Sequence, residues 1–194
     1  MTVQLIIDNK KLDASSGKTY KRVDPLSGRT ITTGAACNVE DAQQIVESSQ
    51  RAFQTWSKTG PTERRRILLA AADALEARME EICTVMAEEI GASQLWANFN
   101  VSASANLIRE AAGLTTQIKG ETIPTDKPGA VSMTLRQPVG TVLSIVPWNG
   151  PVILGARAIA YPLACGNTVI FKGSESSPST HKLLAEAFLE AGLP

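Results

Sequence analysis

Two groups of side chains toward the C-terminal end of the 194-residue chain have the types and spacing to do chemistry. The first is Pro147-Trp148-Asn149-Gly150-Pro151. Asn149 brings a neutral amide, which can donate a hydrogen bond to a developing oxyanion without any pKa adjustment. The second is Lys172 with Glu175 three residues later. A carboxylate there can accept hydrogen bonds from a ribose diol and would repel a 2′-phosphate, while the lysine can donate to hydroxyl or phosphate oxygens. Both groups also have plainer readings. An asparagine between prolines often bonds its own backbone, and a strand-end lysine beside a loop glutamate is common solvated surface. No Gly-x-Gly-x-x-Gly turn is present to support a dinucleotide reading.

Gly150, Leu154 and Arg157 recur at helical spacing, so Arg157 either borders the cavity next to Asn149 or forms a structural ion pair. Trp96 is a candidate ligand wall or a core residue. Cys165, in an apolar context, reads as an inert thiol, and Arg64-Arg65-Arg66 as a solvated face. Nineteen basic and nineteen acidic residues leave no net charge, which argues against a nucleic-acid partner. His181 is the single histidine, and Cys37, Cys83 and Cys165 have neither metal-ligand nor disulfide spacing, so no metal site is expected. No apolar run reaches the roughly 18 residues of a membrane span. With no leader-like N-terminus, the expectation is a reduced cytoplasmic protein acting without a membrane.

The elements that must position these residues follow from periodicity. Leu5-Ile6-Ile7 predicts a strand, Asp8-Asn9-Lys10 a turn, and Asp24-Pro25-Leu26-Ser27-Gly28 another turn. Asn38 predicts the cap of a helix carrying Ala42, Ile45, Val46, Ala52, Phe53 and Trp56 on one face. One long helix is expected from Thr62 to Ile90, stopped by Gly91, and another from about Asn98 to Ile118, stopped by Gly120. Residues 121–140 alternate Val131, Met133 and Leu135 against Ser132, Thr134 and Arg136, the pattern of an antiparallel hairpin in need of a partner. From Thr141 the order becomes strand 141–146, helix 151–163, strand 168–171 and helix 179–191. Two apolar strands joined through a helix imply a parallel sheet, with the strand at 141–146 buried on both faces.

Pro147-Trp148-Asn149-x-Pro151 followed by Gly166-Asn167-Thr168-Val169-Ile170-Phe171-Lys172-x-x-Glu175-x-x-Pro178 resembles the aldehyde dehydrogenase superfamily, and the resemblance extends over essentially the whole chain. Within it, Glu88-Glu89-Ile90-Gly91-Ala92 and Leu95-Trp96-Ala97-x-Phe99-Asn100-Val101 look like the salicylaldehyde and vanillin dehydrogenase group. The resemblance implies an α/β fold: the N-terminal part of the family fold, with an incomplete Rossmann-like sheet. Residues 1–120 and 141–194 would form part of an NAD-binding domain, 121–140 an oligomerisation hairpin, and the catalytic domain would be absent. It implies NAD as cofactor, with Ile145, Pro147, Trp148, Lys172 and Glu175 against it, Asn149 as oxyanion donor, and Trp96, Gly150 and Arg157 around an aromatic aldehyde. Aldehyde would be oxidised to acid through a cysteine-bound thiohemiacetal and thioester. No residue here matches the family's nucleophilic cysteine or general-base glutamate, so these 194 residues alone are expected to be inactive. A truncated non-catalytic homologue, and a semialdehyde-specific or CoA-acylating relative, are the alternatives.

Overall fold

The computed structural model describes residues 1–24 and 26–194. Pro25 of the predicted Asp24–Gly28 turn lies outside them. The rest of that turn is held by Asp24, whose carboxylate accepts from the Leu26 amide at 2.9 Å and the Ser27 hydroxyl at 2.6 Å.

The chain opens with five short strands: β1 (Thr2–Val3), β2 (Leu5–Ile7), β3 (Lys10–Leu12), β4 (Thr19–Val23) and β5 (Thr30–Ala35). β1, β5 and β4 form one small sheet, while β2 and β3 form a hairpin. Asp8 and Asn9 turn that hairpin with positive φ values of 49° and 60°, as a two-residue hairpin loop requires. Helix α1 (Val39–Trp56) starts where the sequence places it. The Asn38 side chain accepts from the Asp41 amide and the Asp41 carboxylate accepts from the Asn38 amide, a reciprocal cap. Trp56 ends α1 in the core, its indole N–H bonded to the Leu163 carbonyl at 3.1 Å.

The expected long helix is two helices, α2 (Pro61–Ala77) and α3 (Met79–Ile90). Nothing in Ala77-Arg78-Met79 breaks helical periodicity, so the sequence reads through. The break comes from packing. Arg78 leaves helical geometry (φ −98°, ψ 13°) and donates to Glu190 at 2.6 Å. The Gly91 stop is present, at φ 67°. Helix α4 runs Gln94–Leu114 rather than 98–118, because the Ser93 hydroxyl caps it through the Trp96 amide. Trp96 therefore sits in the first turn of α4. Gly120 does not terminate a helix. It passes so close to the Thr134 carbonyl that a Cβ would come within 1.9 Å.

The 121–140 segment holds β6 (Thr122–Ile123) paired antiparallel with β7 (Ser132–Met133). Val131, Met133, Leu135 and Val139 stay exposed. Then come β8 (Thr141–Ile145), α5 (Pro151–Ala164), β9 (Thr168–Lys172) and α6 (Pro178–Glu190). β8 and β9 pair in parallel without a register shift, Thr141 opposite Thr168 and Ile145 opposite Lys172. Asn167 fixes this register. Its side-chain carbonyl accepts from the Val139 and Gly140 amides at 2.7 and 3.1 Å. The Gly166-Asn167 pair of the sequence pattern is thus a structural clasp.

The core lies between α2, α3, α4, α5 and α6, filled by Leu68, Leu75, Ile82, Met86, Val101, Ile108, Val152, Leu184 and Phe188. One expectation fails here. β8 is buried on one face only: Ser144 is covered, whereas Leu143 and Ile145 are 60% and 68% exposed. In a two-stranded sheet the side chains alternate, and among the described residues nothing covers the second face at that end.

Candidate active site

The in-register pairing of β8 and β9 is what gathers the site. It sets the residues after Ile145 beside those after Lys172, at the carboxyl ends of adjacent parallel strands, where open α/β sheets bind ligands. The Val146 amide donates to the Lys172 carbonyl at 3.2 Å and extends the pairing one residue toward the Pro-Trp-Asn loop.

Asn149 is exposed and lies just before Gly150, the N-cap of α5. Its side-chain amide makes no hydrogen bond among the described residues, so the self-bonded reading is not what the structure holds. The loop is clamped through the Asn149 backbone instead, whose carbonyl accepts the Trp96 indole N–H at 3.3 Å. Trp96 stacks on Phe99 at 5.7 Å between ring centroids and is 40% exposed, so it is not a core residue. Gly150 has φ −140°, which any residue adopts, and a Cβ there would touch nothing closer than 3.8 Å. Neither backbone conformation nor packing calls for a glycine at this position. Arg157 is exposed, two helical turns along α5, with no ion pair among the described residues. Pro147 and Trp148 are exposed at the strand end. Trp96, Asn149 and Gly150 are thus together, with Arg157 about 10 Å further along the helix.

Lys172 and Glu175 form an exposed ion pair at 3.2 Å. The Glu175 carboxyl is held below its ordinary pKa by its own backbone amide and by Lys172. Such a pair is worth less than about 1 kcal/mol, so ribose hydroxyls can replace it at little cost. Both residues line the end of an apolar cleft of about 1260 Å³ that also takes in Tyr20, Leu143 and Phe171. Asn149, Trp96 and Arg157 do not line that cleft. The structure accordingly presents two neighbouring clusters rather than one pocket.

Three buried polar residues behind these clusters were not singled out by their chemistry in the sequence. Glu89 is 1% exposed. Its carboxylate accepts from the Ser179 and Thr180 amides at 2.7 and 2.9 Å, and from the Thr180 and Thr32 hydroxyls at 2.9 and 3.0 Å. It thereby anchors the N-terminus of α6, next to the Glu175 loop. The available signal was a glutamate three residues after Met86 and seven after Ile82, inside an apolar stripe. Asn100 is fully buried. It donates to the Trp96 carbonyl at 3.0 Å, and its own Oδ1 has no partner among the described residues. His181 is 3% exposed and shares its helix face with Leu184 and Phe188.

Burial pushes the His181 imidazole down to about 4, so it is neutral in the folded protein at neutral pH. For a base whose folded pKa is depressed, the stabilising form is the neutral one. Stability therefore has its full value above about pH 6.5 and falls as the pH drops toward 4, by about 3 kcal/mol in all. Unfolding midpoints taken between pH 7 and 4.5 are expected to fall more steeply for the native protein than for His181→Leu. Equal slopes would contradict a buried neutral imidazole.

Comparisons with known proteins agree with this architecture. The model of the aldehyde dehydrogenase family matches residues 12–194. The solved salicylaldehyde dehydrogenase of Pseudomonas putida G7, complexed with salicylaldehyde, is 56% identical and superposes with a TM-score of 0.99 over 100% of this chain and 40% of its own. The vanillin dehydrogenase of Pseudomonas sp. strain HR199 is 50% identical over 98% of this chain and 40% of its length. PnpE from Pseudomonas sp. WBC-3, also solved with nicotinamide adenine dinucleotide, is 35% identical with a TM-score of 0.95 over 100% of this chain and 40% of its own. The chain belongs to the aldehyde dehydrogenase family and has the fold of the N-terminal part of its members. It spans about 40% of the length of these relatives.

Proposed function

We propose that this chain is the cofactor-facing part of an NAD-dependent dehydrogenase that oxidises an aromatic aldehyde of the salicylaldehyde or vanillin type to the acid. The observation that carries the reading is the β8–β9 register, which puts an exposed, unbonded amide (Asn149) beside an exposed lysine–glutamate pair at the ends of two parallel strands. Asn149 donates its amide to the aldehyde oxygen and more strongly to the tetrahedral oxyanion, the differential interaction that speeds a reaction. The α5 N-terminus next to it adds a favourable field for negative charge.

The donor set suits NAD. Glu175 accepts from the adenosine ribose diol and disfavours a 2′-phosphate, Lys172 donates to the ribose, and Ile145, Pro147 and Trp148 offer exposed apolar surface at the strand end. Bound NAD supplies the hydride acceptor. The aromatic preference rests on Gly150, whose missing side chain no packing contact explains, and on Trp96, whose indole borders the same loop. Arg157 lines the outer end of the aldehyde site. The exposed apolar residues of the 121–140 hairpin form a contact with a second copy of the chain. Among the described residues no helix is long and apolar enough to cross a membrane. The unpaired Cys37, Cys83 and Cys165 suit a reducing cytoplasm.

The test is steady-state kinetics on a full-length protein carrying this segment. Salicylaldehyde or vanillin with NAD should give NADH, and the 194 residues alone should give none. Losing charged hydrogen bonds of about 1.5–3 kcal/mol, Glu175→Ala is expected to raise KM for NAD ~10–100-fold and to narrow the preference over NADP. An unchanged NAD/NADP ratio would remove Glu175 from the cofactor site.

A further inference from the structure

His181 lies beneath the loop that carries Glu175 and near the first residue of α5. On the cofactor side, the Ser174 amide donates to its Nδ1 at 3.0 Å, and Ser174 immediately precedes Glu175. The Ser177 hydroxyl lies 3.4 Å from the same nitrogen. Gly173 allows this approach, since a Cβ there would come within 2.8 Å of the ring. The ring also meets Phe171, the penultimate residue of β9, edge to face at 5.3 Å. On the other side the ring approaches the Pro151 backbone, two residues after Asn149, and among the described residues its buried Nε2 has no partner at good hydrogen-bond geometry. With Nδ1 accepting, the neutral ring carries its proton on Nε2. One imidazole therefore reaches from the residue before Glu175 to the first residue of α5.

We propose that His181 is a positioning residue for the cofactor: by accepting the Ser174 amide while packed against Pro151, it sets the position of the Glu175 carboxylate relative to the Asn149 loop. A merely space-filling side chain would leave the buried Ser174 amide without an acceptor, and the 173–177 loop would move to find one. Glu175 rides on that loop. This inference rests on the reading of Glu175 as the ribose acceptor.

The test is NAD binding and kinetics in a full-length protein carrying this segment, with the fold checked by circular dichroism. His181→Leu is expected to raise Kd and KM for NAD ~10-fold, the cost of one hydrogen bond of about 1.4 kcal/mol, with kcat at saturating NAD within about threefold. His181→Asn, whose side-chain carbonyl can accept the Ser174 amide, should recover most of the affinity. Gly173→Ala should weaken NAD binding in the same direction by displacing the ring, and it tests the proposal even if His181→Leu does not fold. A purely structural histidine would lower the fraction of folded enzyme and leave Kd for NAD unchanged; that result would overturn the proposal. If the native protein bound no NAD at all, the parent reading would fall and take this one with it. Normal native binding with unaltered variants would sink this inference alone.

Discussion

Replacing Asn149 with alanine is expected to cut kcat ~100–1000-fold in a full-length protein carrying this segment, equivalent to about 2.7–4 kcal/mol of lost transition-state stabilisation. The size follows from where the charge appears. A carbonyl oxygen in the ground state takes little from one amide donor, whereas the tetrahedral oxyanion takes a great deal, so KM should change much less than kcat. The residue is suited to a clean measurement. Its side chain is exposed and bonds no protein group among the described residues, and Trp96 holds the loop through the Asn149 backbone carbonyl. Truncation therefore leaves the clamp intact, and the stability change should stay within about 0.5 kcal/mol, as for ordinary surface positions. Asn149→Asp should be at least as damaging, since a carboxylate would face the oxyanion. A loss below tenfold for Asn149→Ala would contradict the oxyanion role.

Glu89 is expected to give the largest stability effect. Its carboxylate is buried and accepts four hydrogen bonds, two of them from the first backbone amides of α6. Those amides have no partner inside their own helix, and the helix field favours a negative charge at that end. Glu89→Ala leaves several buried donors unsatisfied at about 1–3 kcal/mol each, so a loss of about 3–5 kcal/mol is expected. Glu89→Gln keeps the shape but turns an NH2 group toward groups that are themselves donors, and should recover only part of the loss. Thermal or urea unfolding midpoints decide the matter. A change under 1 kcal/mol for Glu89→Ala would show that the four bonds stabilise nothing. The Glu89 backbone carbonyl accepts from Arg22 at 2.6 Å, and Arg22 reaches the Ser176 carbonyl at 3.1 Å, a bridge that the side-chain truncation leaves in place.

Local signals in the chain translated well into local structure. Asn38 and Asp41 form the cap they encode, Asp8-Asn9 turns a hairpin, and Pro151 opens its helix. The strand–helix–strand–helix order from Thr141 onward was legible because each step depends on periodicity and on capping chemistry within a few residues. The errors came where packing decides. Arg78 interrupts a run that contains no breaker, and its side chain pairs there with acidic residues of α6 that lie more than a hundred positions away in the chain. Gly120 has the local signature of a helix stop and is instead a close-approach glycine against the carbonyl of Thr134, fourteen residues later and just past β7.

At the site, residue order alone says which groups exist and where they stand along the chain: an amide at 149, a lysine and a carboxylate at 172 and 175, a tryptophan at 96. It could not determine that the Trp96 indole would hold the Asn149 carbonyl, since α4 and the loop before α5 are 53 residues apart. Nor could it show that Glu89 and His181 are buried beneath the loop that carries Glu175. Burial and hydrogen-bond partnership are properties of the packed state. A carboxylate and an imidazole take their meaning from the amides that folding brings to them, and only the tertiary structure supplies those amides.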